Sequence, residues 1–184
     1  MEPTFEMEPS GERPRVLVIE SNRNYLGVIA RRLAELGYRV ATADTAQAGL
    51  SELYRIPADL VICDSKLPGT SGIEFVRIIR ADQIHRDLPI VLIVGRTDRA
   101  GAVRAFRAGA DAVVRKPCHF EVLGACIRRQ IERAEAVKRL AHDNAALDAR
   151  IISRAIELRE MYDQLRATET ERRRLAAIVE SKAA

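Results

Sequence analysis

The sequence predicts an α/β protein, a doubly wound, five-stranded parallel sheet followed by a long C-terminal helix that forms a coiled coil. Three observations lead there. From Arg15 to about residue 130, short apolar runs alternate with amphipathic stretches of helical length, which is the pattern of βαβ units with right-handed crossovers. Apolar residues make up 47% of the chain, yet aromatics are only 4% and Trp is absent. The core therefore rests on Val, Ile, Leu and Ala, as suits a sheet covered on both faces. Finally, no Gly or Pro occurs from Ala125 to Ala184, so nothing obliges the last helix to stop.

In chain order, residues 1–14 show no periodicity and are expected to be a disordered leader; being acidic, with no apolar run, they are not a secretory signal. The strands are expected at Val16–Ile19, Arg39–Ala43, Leu60–Cys63, Ile90–Val94 and Ala112–Val114, with helices at 23–36, 45–55, 71–80, 98–108 and from 119 onward. Gly37 ends the first helix, and Gly109 ends the fourth as a residue that tolerates the left-handed conformation. Pro89 opens the fourth strand, where a missing N–H is tolerated. Five such units fit a domain over 15–130, leaving 131–184 for the coil.

With Val137 at heptad position a, the a positions continue through Asn144, Ile151, Leu158, Leu165, Arg172 and Val179. The d positions are Leu140, Leu147, Arg154, Met161, Thr168 and Leu175, and nine of the thirteen a and d residues are apolar. Sustained over about six heptads, this argues for a coiled coil, and Asn144 at an a position favours a two-stranded, in-register pair. The expectation is a parallel homodimer, although the sequence leaves an antiparallel arrangement open. Ile127, Ile131 and Ala134 run one residue out of phase with Val137, marking where the helix leaves a domain surface.

Composition narrows the function. Net charge is +4 with 30% charged residues of mixed sign, which does not resemble a nucleic-acid-binding stripe. No apolar run approaches the ~18 residues that span a bilayer. Three cysteines (Cys63, Cys118, Cys126) cannot all pair internally, and Cys63 lies in an expected buried strand, so a reduced, cytoplasmic protein is expected. No nucleotide loop or hydrolytic constellation is evident, so the chain is not expected to be an enzyme. His142 and the run Arg172-Arg173-Arg174 are read as solvated helix surface.

The most informative segment is Leu60-Val61-Ile62-Cys63-Asp64-Ser65-Lys66-Leu67-Pro68-Gly69-Thr70-Ser71-Gly72. An apolar run delivers a carboxylate at its carboxyl end, where ligands gather in open parallel sheets, and a tight Pro-Gly loop follows. Asp64, then x-x-x-Pro-Gly-x-x-Gly, resembles the phosphoacceptor segment of response-regulator receiver domains. Arg115-Lys116-Pro117 after Ala112–Val114 resembles the strand-five lysine of that family. The resemblance covers roughly 14–130 and implies a flavodoxin-like receiver fold, with Asp64 as phosphoacceptor and Lys116 as the cation facing the phosphoryl oxygens. It further implies a Mg²⁺ ion held by Glu20, Asp64 and the backbone carbonyl of Lys66, and a histidine kinase or phosphotransfer protein as the donor.

Three positions depart from the family pattern. Ser21 stands where the second strand-one acid usually ligates the metal, so weakened Mg²⁺ binding is expected. Val94 occupies the place of the strand-four Thr or Ser and cannot donate a hydrogen bond. Val113 replaces the aromatic switch residue of strand five. Lys66 and Arg96 are candidates to line the rim of the pocket and partly replace a missing cation. The readings left open are a phosphorylated receiver signalling through a dimeric coil, a phosphorylation-independent docking module, and the N-terminal regulatory part of a larger sensor kinase or cyclic-dinucleotide enzyme. The third reading also draws on a short resemblance of residues 169–181 to the helix that enters PAS domains.

Overall fold

The computed structural model describes the backbone of residues 13–183 and the side chains of residues 13–174. Five parallel strands, β1 (Arg15–Ile19), β2 (Arg39–Ala43), β3 (Leu60–Asp64), β4 (Ile90–Val94) and β5 (Ala112–Arg115), form one sheet in the order β2-β1-β3-β4-β5. Between and after them run α1 (Arg23–Glu35), α2 (Ala46–Arg55), α3 (Gly72–Ala81), α4 (Arg99–Ala108) and α5 (Phe120–Ala183). The expected strand starts and ends hold to within one residue. The third strand is longer than expected, so that Asp64 is itself its last residue, paired with Ile93 of β4.

Each face of the sheet has its own core. Leu17, Ile19, Val61, Cys63, Leu92 and Val94 face α2, α3 and α4, whose Leu53, Phe75, Val76, Ile79 and Ala105 cover them. Val16, Val18, Leu60, Ile62, Val91 and Ile93 face α1 and α5, which contribute Ile29, Leu33, Leu123, Ile127 and Ile131. Alternation along every central strand produces this division, since successive side chains point to opposite faces. Strands β1, β3 and β4 are buried throughout, as continuous apolar runs require, whereas the edge strands β2 and β5 are only partly covered.

Helix starts are set by polar caps. Asn22, Thr45, Ser71 and Asp98 each accept a hydrogen bond from a backbone N–H of the first turn. Ser71 and Glu74 form a reciprocal capping box on α3. Gly109 ends α4 with φ +105°, as expected. Two arginines lock the edge of the sheet opposite Asp64. Arg80 on α3 donates to the carbonyls of Gly109, Arg86 and Leu88 and to Asp111, which in turn accepts from Ile90 N–H. Arg15, 8% exposed, donates to Ile56, Pro57 and Glu52.

The chain divides into two units, one up to residue 135 and the other from residue 136. In the second, every described residue is helical and exposed, including Val137, Leu140, Asn144, Leu147, Ile151, Leu158, Met161 and Leu165. Leu175 lies outside the residues whose side chains are described. No helix among the described residues is long and apolar enough to cross a membrane.

Candidate functional site

At the carboxyl edge of the sheet, β1, β3 and β5 bring three charged side chains together. Glu20 follows β1, Asp64 ends β3 and Lys116 follows β5. The Lys116 ammonium donates to Glu20 Oε2 at 2.7 Å and to Asp64 Oδ2, bridging the two carboxylates. Their other oxygens take backbone donors: Asn22 N–H reaches Glu20 Oε1 at 2.9 Å and Lys66 N–H reaches Asp64 Oδ1 at 3.0 Å. The side chains of Glu20 and Asp64 are 3% and 7% exposed, against 32% for Lys116. The ammonium thus closes the pocket from the solvent side.

Burial pushes the Glu20 carboxyl above its ordinary value, with Lys116 pulling the other way. For Lys116, burial draws the ammonium down, but hydrogen bonds to Asp64 and Glu20 outweigh it and hold it above the usual lysine range. Beneath the ammonium lies the Tyr25 ring, 4.7 Å from Nζ to the centroid, an arrangement in which the ring face favours the cation. Burial, and next the neighbouring Cys118, raise the Tyr25 phenol far above its ordinary value.

The loop beside Asp64 is held by close packing. Gly72 N–H donates to Ser65 O at 3.2 Å, and a Cβ on Gly72 would fall 2.0 Å from the Asp64 carbonyl oxygen. Glycine at the start of α3 therefore lets the helix approach the acceptor strand, and Gly69, at φ +73°, supplies the left-handed turn before it.

Of the residues singled out from sequence, Glu20, Asp64 and Lys116 meet. Ser21 is exposed and adds no carboxylate to the pocket. Val94 is fully buried, with its carbonyl accepting from Lys116 N–H at 2.9 Å, and Val113 is half-buried on β5. Lys66 joins the site through its backbone N–H; the side chains of Lys66 and Arg96 are exposed at the surface. Asn22, Tyr25 and Ser65 escaped the sequence reading. A signal for the first existed, since an Asn two residues beyond a strand-end acid is both a helix cap and a neighbour of that acid.

Among the described residues no group of three or more His, Cys, Asp or Glu is gathered for a metal. The donors that are present, the buried carboxylates of Glu20 and Asp64, are hard oxygens. They fit a Mg²⁺ ion that keeps several waters and takes one or two carboxylates.

A parallel sheet in this order with an acid–acid–lysine cluster at its carboxyl edge defines a receiver-type signalling domain. Residues 16–128 match the response regulator receiver domain family. The chain is 36% identical over 164 residues to the transcriptional regulatory protein AfsQ1 of Streptomyces coelicolor, covering 88% of this chain and 70% of that protein. It is 29% identical over 119 residues to the phosphate regulon transcriptional regulatory protein PhoB of Escherichia coli, covering 65% of this chain and 52% of PhoB. Among solved structures, a response regulator receiver domain protein from Clostridium thermocellum superposes with a TM-score of 0.63 at 28% identity, over 67% of this chain and 98% of that one. The chain belongs to the response regulator receiver domain family of two-component systems. Receiver domains use Mg²⁺ for their phosphorylation and interact with histidine kinases.

Proposed function

We propose that Asp64 accepts a phosphoryl group from a histidine kinase or phosphotransfer protein and that the altered domain signals through a parallel coiled-coil dimer built by residues 137–175. The observation that carries the first half is the bridge from Lys116 Nζ to Glu20 and Asp64, a fixed cation beside a carboxylate at a strand end. One Asp64 oxygen attacks phosphorus in line, the bond from phosphorus to the donor atom breaks, and the donor leaves with the electron pair. Lys116 turns from Asp64 toward the incoming phosphoryl oxygens as a point charge. Glu20, Asp64 and the Lys66 carbonyl would hold Mg²⁺, which when bound neutralises charge on the transferred group. The chain acts as a signalling module of the cytoplasm, with no enzymatic activity of its own and no contact with nucleic acid or membrane.

Labelling with acetyl phosphate and Mg²⁺, followed by intact mass, tests the acceptor. A single phosphoryl adduct that D64N abolishes is expected. No adduct with or without Mg²⁺ would overturn the acceptor and leave the second reading, a docking module independent of phosphorylation. That reading is favoured by the exposed Ser21 and by Val94, which leave the pocket one acid and one hydroxyl short.

A further inference from the structure

Two buried side-chain oxygens among the described residues lack a hydrogen-bond partner, the Tyr25 phenol and the Ser65 hydroxyl. The phenol lies against the Cys118 thiol. Ser65 is only 7% exposed, and an unpaired buried hydroxyl is costly enough that native folds carry few of them. Its position gives the hydroxyl a use.

Cys63 and Val94 both belong to the core under α2, α3 and α4. Alternation along β3 gives Ser65 the same face as Cys63 and the opposite face from Asp64. The β3–β4 register pairs Cys63 with Leu92 and Asp64 with Ile93, and Ser65 N–H extends it by bonding Ile93 O at 2.8 Å. One residue further, Ser65 stands beside Val94 on the same face, about 4.8 Å away across the ladder. Gly72 closes over it, since a Cβ there would lie 3.0 Å from Ser65 Cα. The residue next to the acceptor thus offers a buried hydroxyl with no protein partner, one strand from the place where Val94 offers none.

We infer that Ser65 supplies the hydrogen-bond donor that Val94 cannot, its hydroxyl donating to an oxygen of the phosphoryl group on Asp64. This rests on Asp64 being a phosphoacceptor. Ser65 keeps its proton throughout; it forms no covalent bond and stabilises only the transferred oxygens. A hydroxyl held unpaired for that purpose weakens the unliganded fold and strengthens the phosphorylated one, and the two effects can be measured apart.

The experiment compares the parent chain with S65A and S65A/V94T, titrating each with beryllofluoride and Mg²⁺ and recording thermal melts without ligand. One lost hydrogen bond to a charged group predicts about tenfold weaker beryllofluoride binding in S65A. Removing an unpaired hydroxyl predicts a melting temperature that rises by about 2 °C or more in the same variant. In S65A/V94T, the threonine hydroxyl restores most of the affinity. Parent-like affinity in S65A overturns the inference, as does a melting temperature that falls with affinity, or a double variant that stays weak. A parent chain that neither binds beryllofluoride nor takes a phosphoryl group from acetyl phosphate defeats the acceptor reading itself, a result distinct from a binding parent with an indifferent S65A.

Discussion

At the scale of single residues, the pocket is a balance of charge held in a nearly dry place. Two carboxylates that are almost wholly buried share one ammonium, so the cluster carries a net negative charge and each acid depends on Lys116. Removing one partner of a buried ion pair leaves the other charge uncompensated, typically at 3–5 kcal/mol. Because Lys116 keeps a third of its side chain in water, K116A is expected to cost about 3 kcal/mol at neutral pH, the low end of that range. The sign with pH follows from the acids. Glu20 already binds its proton more tightly than an ordinary carboxyl, and without the ammonium that tendency grows. The penalty of K116A should therefore be largest where the carboxylates are ionised and shrink as pH falls through the raised Glu20 value, as urea unfolding at pH 8, 6 and 4.5 would report. A penalty that does not change with pH would mean that Lys116 acts by packing alone. Asp64, Lys116 and Glu20 were legible because each closes an apolar run, and in a parallel sheet the ends of such runs converge. Tyr25 and Ser65 were not legible, since their roles depend on the helix face that turns inward and on a register between strands. Neither of these is written in local sequence.

At the scale of elements, the strands were readable to within a residue because their apolar runs have no amphipathic competitor. The first four helices were readable because each begins at a polar cap. Thr45, Ser71 and Asp98, counted from sequence as the first residues of their helices, are in the structure the N-caps themselves. The spacing alone cannot separate a cap from a first turn, for the cap carbonyl already accepts a helical bond. What remained hidden is the work of Gly72. The expected helix over 71–80 already held it, but did not show that it opens α3 and lets that helix press on the Asp64 and Ser65 backbone. A methyl group there would collide with main chain, which cannot swing aside as a flexible side chain could. G72A is therefore expected to cost about 3 kcal/mol, the upper part of the overpacking range, and to displace the loop that carries Lys66 N–H toward Asp64. Urea melts would measure the first effect and beryllofluoride affinity the second. A variant of parental stability and affinity would show that α3 can retreat freely.

At the scale of the whole chain, the two units state different physical problems. The first buries two apolar cores within itself, down to Leu123, Ile127 and Ile131 on the opening turns of α5. In the second, Val137, Leu140, Leu147, Ile151, Leu158, Met161 and Leu165 are each more than half exposed along a helix with no Gly or Pro to turn it back. A stripe of that length in water has a large apolar area to bury, and a second copy presents the same stripe in the same order. The first three a positions are Val137, Asn144 and Ile151, and Leu140 and Leu147 stand at d. Branched residues at a with Leu at d favour two parallel strands, and Asn at a favours the register that pairs it with itself. Light scattering of the parent chain at micromolar concentration is expected to give the dimer mass, and I151D, which sets two carboxylates against each other in one core layer, the monomer mass. Orientation is read by N144C in a background with Cys118 and Cys126 changed to Ser. In-register parallel helices bring the two thiols together, so mild oxidation should yield a covalent dimer in high yield, whereas antiparallel helices separate them along the coil and should yield little. A parent chain that stays monomeric would remove the coil as a route for the signal, and the change at Asp64 would then have to leave through the surface of the first unit.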